Sequence, residues 1–247
     1  GPGGAGTRPR PRSAPSLAEL EPLFQRPWID TFSSSFALEQ HVSPDENMPD
    51  YGREFSIRVG NGALALNLDY TNAQKETLLI YYVQVGLDLY GVATATDGGR
   101  IAWYGGGGHR SGRKLPILFA GWLLDDSDMQ NVQAAFAEDM QIYYYDDPRL
   151  PPEAQGIPGW TGATVLFKHA GTADGVTPSW DGLYEHKPPS EWTWDGRGCP
   201  GDPSSGGNSD KRSEAYRTCC TGYAWVGMAL AARLMGMTEM WNKPEFF

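Results

Sequence analysis

Cysteine, long hydrophobic runs and basic residues are all scarce in this chain of 247 residues. The longest uncharged apolar stretch, Leu115 to Leu124, is half as long as a membrane-spanning helix, so we expect no membrane span. No Cys-x-x-Cys or paired-histidine spacing occurs, and no motif predicts a metal or a cofactor. Because 20 Lys and Arg stand against 30 Asp and Glu, the formal net charge is −10, which argues against nucleic-acid binding.

The three cysteines leave the redox state open. A disulfide from Cys199 to Cys219 or Cys220 would close a loop of about twenty residues, and it would suit a secreted protein. Since adjacent cysteines cannot both bond to one partner, this interpretation predicts one disulfide and one unpaired thiol. Three free thiols are the alternative, and the sequence favours neither.

Apolar residues make up 40% of the chain and aromatic residues 12%, which is enough for a packed core. Residues 1–16, where arginine alternates with proline, have little apolar surface to bury and are predicted to form a disordered tail. Residues 17–247 are predicted to form one mainly helical domain. Asn242 and Pro244 resemble the start of a further helix, so we expect the natural protein to continue beyond Phe247.

Several segments carry helical signals. A capping box of Thr71 and Gln74 opens a helix whose apolar residues cover most of its circumference, which is typical of burial in a larger helical assembly. Its one polar stripe includes Asp88. The other predicted helices span Phe55 to Leu68, begin near Arg113, run from Ser127 to Met140, and run from Ser213 to Met235 with Gly236 as the C-cap.

The predicted fold class is mainly α, with antiparallel helix hairpins and long connections rich in glycine and proline. Such hairpins stack into bundles, solenoids or closed α/α toroids. Residues 146–212 show no helical period, and we interpret them as a long excursion with short strands near Thr164 to Phe167.

A local inversion of charge marks the most informative segment, which has no acidic residue from Gly98 to Leu124. Its glycine run, residues 105–108, lets backbone N–H groups approach a ligand, and the helix that follows adds its positive end. The segment therefore predicts a site for a carboxylate, sulfate or phosphate. The alternative is a surface loop whose basic residues pair with acids elsewhere. The cations are Arg100, Arg110, Arg113 and Lys114.

A nucleotide-binding P-loop does not fit this segment. Gly107-x-x-x-x-Gly112 is followed by Arg113-Lys114, so the hydroxyl that would bind magnesium is missing.

Three residues beside the glycine run are candidates for contact with substrate. His109 lies among arginines, which favour the neutral imidazole of a general base. Trp103 and Tyr104 could stack on the apolar faces of sugar rings, or they could pack in the core.

A second cluster and one acid complete the candidates. Tyr216 stands beside Arg217 in the sequence, and a tyrosine beside an arginine can act as a proton donor. The alternative is that Tyr216 packs in the core as an ordinary aromatic residue. Arg217 is costly to bury without a partner, so it is a candidate for function or for an ion pair. Asp88, on the polar stripe, is the best single catalytic acid, or it makes a structural hydrogen bond.

The segments Gly105–Leu124 and Tyr216–Phe247 resemble α/α-toroid carbohydrate-active proteins of the polysaccharide-lyase and heparinase-like kind. The matching words are Gly-His-Arg-Ser-Gly-Arg-Lys-Leu-Pro-Ile-Leu-Phe-Ala-Gly and Trp-Val-Gly-Met-Ala-Leu-Ala-Ala-Arg-Leu-Met-Gly. The resemblance implies an incomplete toroid, an acidic polysaccharide as partner, and an extracellular or cell-envelope location. A glycoside hydrolase with paired carboxylates, or a non-catalytic glycan-binding or structural subunit, are the alternatives.

The resemblance also implies roles for the candidate residues. His109 and Tyr216 would be the base and the acid of a β-elimination. Arg110, Arg113 and Lys114 would hold the carboxylate of the substrate.

Overall fold

The structure is a computed structural model that describes residues 9, 13–25, 52–95, 110–167, 185–186, 188 and 221–247. The predicted mainly helical class is confirmed. The helices are α1 (Leu17–Phe24), α2 (Gly52–Leu66), α3 (Asn72–Ala95), α4 (Lys114–Leu124), α5 (Ser127–Gln130), α6 (Ala137–Met140), α7 (Gly222–Leu234) and α8 (Thr238–Trp241). Two short strands, β1 (Ile142–Tyr144) and β2 (Val165–Phe167), and a 3-10 helix, Pro244–Phe246, complete the described elements.

Reciprocal side-chain caps begin α1 and α3. Ser16 and Glu19 form a capping box at α1, with the Ser16 N–H donating to Glu19 Oε2 at 2.7 Å. The capping box predicted for α3 is confirmed, because the Gln74 N–H donates to Thr71 Oγ1 at 3.2 Å and the Thr71 N–H donates to Gln74 Oε1 at 3.0 Å. These bonds satisfy backbone donors that have no partner within the helix.

Close backbone approaches hold the long helices together. A Cβ on Gly86 of α3 would lie 2.2 Å from the Pro116 carbonyl oxygen, and a Cβ on Gly60 of α2 would lie 3.0 Å from the Gly227 carbonyl carbon in α7. α3 therefore packs on α4, and α2 packs on α7. The Tyr82 ring packs between α1 and α4, with its centroid 5.2 Å from that of the Phe24 ring and 5.0 Å from that of the Phe119 ring.

One predicted helix has the wrong extent, and the predicted start of another, at Ser213, lies outside the described residues. The helix predicted from Ser127 to Met140 is two short helices, α5 and α6, because the chain leaves helical geometry between Asn131 and Phe136. Within the described part of the predicted helix from Ser213 to Met235, α7 begins only at Gly222. Its end is confirmed, because Gly236 follows the C-cap with a φ of 70°, the left-handed conformation that glycine adopts easily.

Of the two helix starts predicted near Arg113 and at Asn242, only the first is confirmed. The predicted start of α4 near Arg113 is confirmed, with Pro116 in the first turn. Asn242 is not an N-cap as predicted: its φ of 54° ends α8, and Lys243 precedes a 3-10 turn over Pro244–Phe246.

The predicted strand near residues 164–167 is confirmed as β2. It pairs antiparallel with β1, and Ile142 lies opposite Phe167. The partner strand was not predicted, because three residues are too few to show an alternating pattern.

Among the helices of the described ranges, none combines the length and the apolar character needed to cross a bilayer.

Candidate functional site

The structure describes four of the nine predicted site residues. Arg110, Arg113 and Lys114 lie together just before and at the start of α4, and Asp88 lies on α3. The other five and the three cysteines lie outside the described residues, so their roles stay predictions. The five are Trp103, Tyr104, His109, Tyr216 and Arg217.

The basic segment Arg110–Lys114 lies in the interior. The exposed fraction is 4% for Arg110, 0% for Arg113 and 6% for Lys114. Buried cations require compensating partners, because removing a charge from water is costly. The sequence offered an anion site or a surface loop whose basic residues pair with acids elsewhere. The pairing with acids is observed for Lys114, although the segment is interior and not a surface loop, and the anion site stays a prediction.

Lys114 is held by three groups from outside its own helix. Its Nζ donates to Asp139 Oδ2 at 2.5 Å and to the Trp241 carbonyl oxygen at 2.5 Å. It also lies 5.3 Å from the centroid of the Trp241 ring, within the range of a cation–π interaction. The Trp241 indole N–H donates to Asp139 Oδ1 at 3.1 Å. Lys114, Asp139 and Trp241 therefore form a closed triangle between α4, α6 and α8.

Arg113 packs against α2. Its Nη1 donates to the Ser111 carbonyl oxygen at 2.9 Å, and its guanidinium carbon lies 4.5 Å from the centroid of the Phe55 ring. The planar guanidinium can stack on an aromatic face while its edge keeps hydrogen bonds. This geometry anchors the backbone of the segment onto the helical core.

Gly112 is required where the segment meets α2 and α6. Its φ is 82°, and a Cβ there would lie 2.8 Å from Ser56 Oγ. The Gly112 N–H donates to Glu138 Oε2 at 3.3 Å. Both the backbone conformation and the space exclude a side chain at this position.

Helix α6 forms a matching surface for the basic segment. The Ala137 N–H donates to the Arg110 carbonyl oxygen at 3.1 Å, and Arg110 Nη1 lies 3.9 Å from Met140 Sδ. Glu138 and Asp139 accept hydrogen bonds from Gly112 and Lys114, so every residue of α6 contacts the segment. Sequence reasoning placed Glu138 and Asp139 in a helix but did not identify them as partners of the basic segment. An acid-free basic run needs acids elsewhere, and this adjacent pair is the signal that could have found them.

Glu138 is the most unusual group of the site. It has no exposed surface, and no donor among the described residues lies within hydrogen-bonding distance of its Oε1. Burial and, to a smaller extent, the neighbouring Asp139 carboxylate raise the pKa of Glu138, while the Gly112 N–H and Lys114 lower it, and the resulting pKa is about 7. Burial also raises the pKa of Asp139, although the Lys114 ammonium favours its charged form. Glu138 can therefore exchange a proton near neutral pH.

A side-chain hydrogen bond joins the basic segment to α7, and these two elements follow the predicted catalytic residues His109 and Tyr216 in the sequence. The Trp225 indole N–H of α7 donates to Ser111 Oγ at 2.5 Å, and both residues are buried. Ser111 is two positions after His109 in the sequence, and Trp225 is nine positions after Tyr216. The described ends of both segments therefore meet in one place.

Asp88 lies in a different setting. Its Oδ1 accepts a hydrogen bond from Gln84 Nε2 at 2.8 Å, one turn earlier on the same helix. The side chain is half-buried, next to the exposed Gln84. The predicted polar stripe is thus present on α3, and the role of Asp88 at a substrate stays a prediction.

Comparisons of the chain with protein-family models, with curated proteins and with solved structures find no match. Within the described ranges, no group of three or more His, Cys, Asp or Glu side chains could hold a metal ion. The chemistry of the site is therefore argued from its own residues.

Proposed function

We propose that this chain degrades an acidic polysaccharide by β-elimination. The observation that supports the proposal most directly is the Trp225–Ser111 bond, because it ties together the two segments whose sequences suggest this activity. In the proposed reaction, His109 removes the proton at C5 of a uronate and the C4–O bond breaks. A C4=C5 double bond forms, and the leaving oxygen takes a proton from Tyr216.

The buried cations fit this proposal as groups that position the segment. Lys114 already has Asp139 and the Trp241 carbonyl as acceptors, and Arg113 packs on Phe55. Direct contact with a substrate carboxylate would require these contacts to be exchanged. We therefore assign Arg113 and Lys114 to holding the backbone beside His109, where positive charge also stabilises the enolate-like intermediate. Arg217, Trp103 and Tyr104 remain proposed substrate-binding residues.

We further propose that the helix pairs belong to an α/α toroid and that the protein acts outside the cell or in its envelope. The packing of α3 on α4 and of α2 on α7 is compatible with stacked helix hairpins. The disulfide of Cys199 with Cys219 or Cys220 is part of this proposal. Mass spectrometry of the non-reduced protein tests it, and three alkylatable thiols would argue against it.

The activity is tested with a panel of uronate-containing polysaccharides and one neutral polysaccharide. We expect ultraviolet absorbance from the unsaturated product with an acidic member of the panel. We expect His109→Ala and Tyr216→Phe each to lower the rate on the order of 100-fold. The matched control is Tyr223→Phe, because Tyr223 is 72% exposed.

Other outcomes would contradict the proposal in distinct ways. New reducing ends without ultraviolet absorbance would indicate a glycoside hydrolase. Binding without any product would indicate a non-catalytic glycan-binding protein. A product formed at the same rate by both variants would contradict the roles of His109 and Tyr216.

A further inference from the structure

A cavity of about 610 Å³ lies between α2, α7 and the residues that precede α1. Asn61 and Leu64 of α2 line one side, Leu230 and Leu234 of α7 line another, and residues 13–15 line a third. Pockets that bind small molecules have volumes of roughly 300–1,000 Å³. The cavity is therefore large enough for a ligand. None of its described lining residues belongs to the basic segment or to the predicted site residues.

A close contact between α2 and α7 holds two walls of the cavity in place. A Cβ on Gly227 of α7 would lie 3.5 Å from Gly60 Cα and 3.8 Å from Leu64 Cδ1 in α2. Asn61 and Leu64 follow Gly60 in the sequence, and Leu230 follows Gly227, so both walls begin within about one turn of the contact. Because this contact is between backbones, it fixes the separation of the two walls in the absence of a ligand.

The described lining of the cavity is uncharged and contains no aromatic ring. Its largest apolar side chains are Leu64, Leu68, Leu230 and Leu234, and Leu230 is 48% exposed. An aliphatic chain would remove this leucine surface from water, whereas a sugar would find no ring on which to stack. A charged group entering the cavity would lose water without meeting an opposite charge among these residues.

Asn61 supplies a polar group for a ligand. It lies in the interior of α2 and is half-buried, and its side chain makes no hydrogen bond to another described residue. Asn67, which also lines the cavity, instead donates from Nδ2 to the Ala63 carbonyl oxygen at 2.8 Å. Asparagine is a poor helix former, because its amide competes with the backbone for hydrogen bonds. Asn61 therefore adds no bond to the fold, and its amide can both donate to and accept from a ligand.

We propose that this cavity binds a single aliphatic chain that carries an uncharged hydroxyl or amide group. The chain packs against the leucines of α2 and α7, and the polar group exchanges hydrogen bonds with the Asn61 amide. The inference goes beyond the proposed function and does not depend on it, because the ligand is neither acidic nor a glycan.

Three probes of equal chain length test the chemical class of the ligand. They are 1-octanol, octanoate and octylammonium, titrated into the whole chain at neutral pH and followed by NMR. We expect 1-octanol to bind, and each charged probe to bind about tenfold more weakly because its charge has no partner in the cavity. Absence of 1-octanol binding, or equal binding of either charged probe, would overturn the proposal.

A charge placed on the wall locates the binding. Leu230→Glu introduces a carboxylate into the lining, and the matched control is Val226→Glu, one turn earlier on α7 at a position that is 62% exposed and outside this lining. We expect Leu230→Glu to weaken 1-octanol binding about tenfold and Val226→Glu to leave it unchanged. Equal effects of the two variants would mean that the alcohol binds elsewhere, which contradicts the proposal. A dimer that these variants dissociate and 1-octanol does not would also contradict it, because a second copy would then occupy the cavity.

A change of specificity tests the role of Asn61. Asn61→Asp replaces the amide by a carboxylate of similar size, and Asn72→Asp, at an exposed position that starts α3, is the matched control. We expect Asn61→Asp to bind octylammonium about tenfold more tightly than the native chain does, through a charge-assisted hydrogen bond, and to bind 1-octanol more weakly. Asn72→Asp should keep the native order of affinities. If Asn61→Asp also keeps the native order, the polar group of the ligand does not meet Asn61 and the proposal is wrong.

Discussion

The basic segment Arg110–Lys114 and the polar stripe of α3 both consist of polar residues that the sequence marks as functional candidates. In the fold, the segment lies in the interior and the stripe lies at the surface. The segment is interior, and its charges face Asp139, Phe55 and the Trp241 carbonyl. The stripe is at the surface, where Asp88 bonds to Gln84 of its own helix. The difference lies in the partners: α6 and α8 bring acids and a carbonyl to the first region. Charge pattern identifies polar residues, but it does not tell whether protein or water will satisfy them.

Replacing Lys114 should give the largest difference between the two regions. Lys114→Met removes the ammonium and leaves the Asp139 carboxylate and the Trp241 carbonyl without it. Breaking one side of a buried ion pair costs about 3–5 kcal/mol. We expect the free energy of unfolding, measured by urea denaturation, to fall by this amount.

The control for this change is Lys75→Met, at a partly exposed position in the first turn of α3, where we expect a change within about 0.5 kcal/mol. The double variant Lys114→Met/Asp139→Leu should recover much of the loss, because it removes the uncompensated carboxylate as well. Equal effects of Lys114→Met and Lys75→Met would contradict the contribution of the buried Lys114 ion pair.

Glu138 should make the interior region sensitive to pH. Its pKa rises from 4.5 to about 7 on folding, so the folded protein binds the proton more tightly than the unfolded chain. The contribution to stability is complete below pH 4.5 and is lost as the pH rises towards 7, by roughly 3 kcal/mol in total. The pKa of Asp139 is also raised, so its ionisation likewise lowers the free energy of unfolding as the pH rises.

The measurement is the free energy of unfolding of the native chain and of Glu138→Gln between pH 4.5 and 8. We expect the free energy of unfolding of Glu138→Gln to fall much less with rising pH than that of the native chain, because the amide does not titrate. This holds whatever the absolute stability of the variant. A Glu138→Gln slope equal to the native one would contradict a buried carboxyl that titrates near neutral pH.

The fold was predictable where the signal is local, and the site was not. The α3 capping box, the start of α4 at Arg113 and the end of α7 at Gly236 depend on neighbouring residues, so the sequence predicted them. The pairing of Lys114 with Asp139 depends on contacts between α4 and α6 that have no local signature. Asn242 was mistaken for an N-cap because the same residue type also adopts the left-handed conformation that ends a helix.

Two glycines of α3 allow a packed and an open position to be compared within a single helix. Gly86 faces α4, where a Cβ would overlap the Pro116 carbonyl, whereas a Cβ on Gly91 would meet nothing within 4 Å. We expect Gly86→Ala to destabilise by about 1–3 kcal/mol through overpacking. We expect Gly91→Ala to stabilise by about 0.5–1 kcal/mol through helix propensity. Thermal unfolding of both variants checks the signs, and the same sign for both would contradict the packing of α3 on α4.

The smallest effect on stability should come from Asp88. Asp88→Ala removes the hydrogen bond that Gln84 donates to Asp88 on the same helix, and such pairs contribute about 0.2–0.5 kcal/mol. We expect a change of that size in urea denaturation, and Gln84→Ala should give a similar value because it removes the same bond. If Asp88→Ala lowered the free energy of unfolding as much as Lys114→Met does, Asp88 would have a structural role in the fold. If Asp88→Ala lowers affinity for an acidic polysaccharide while stability is kept, the exposed side of α3 is the side that meets the substrate.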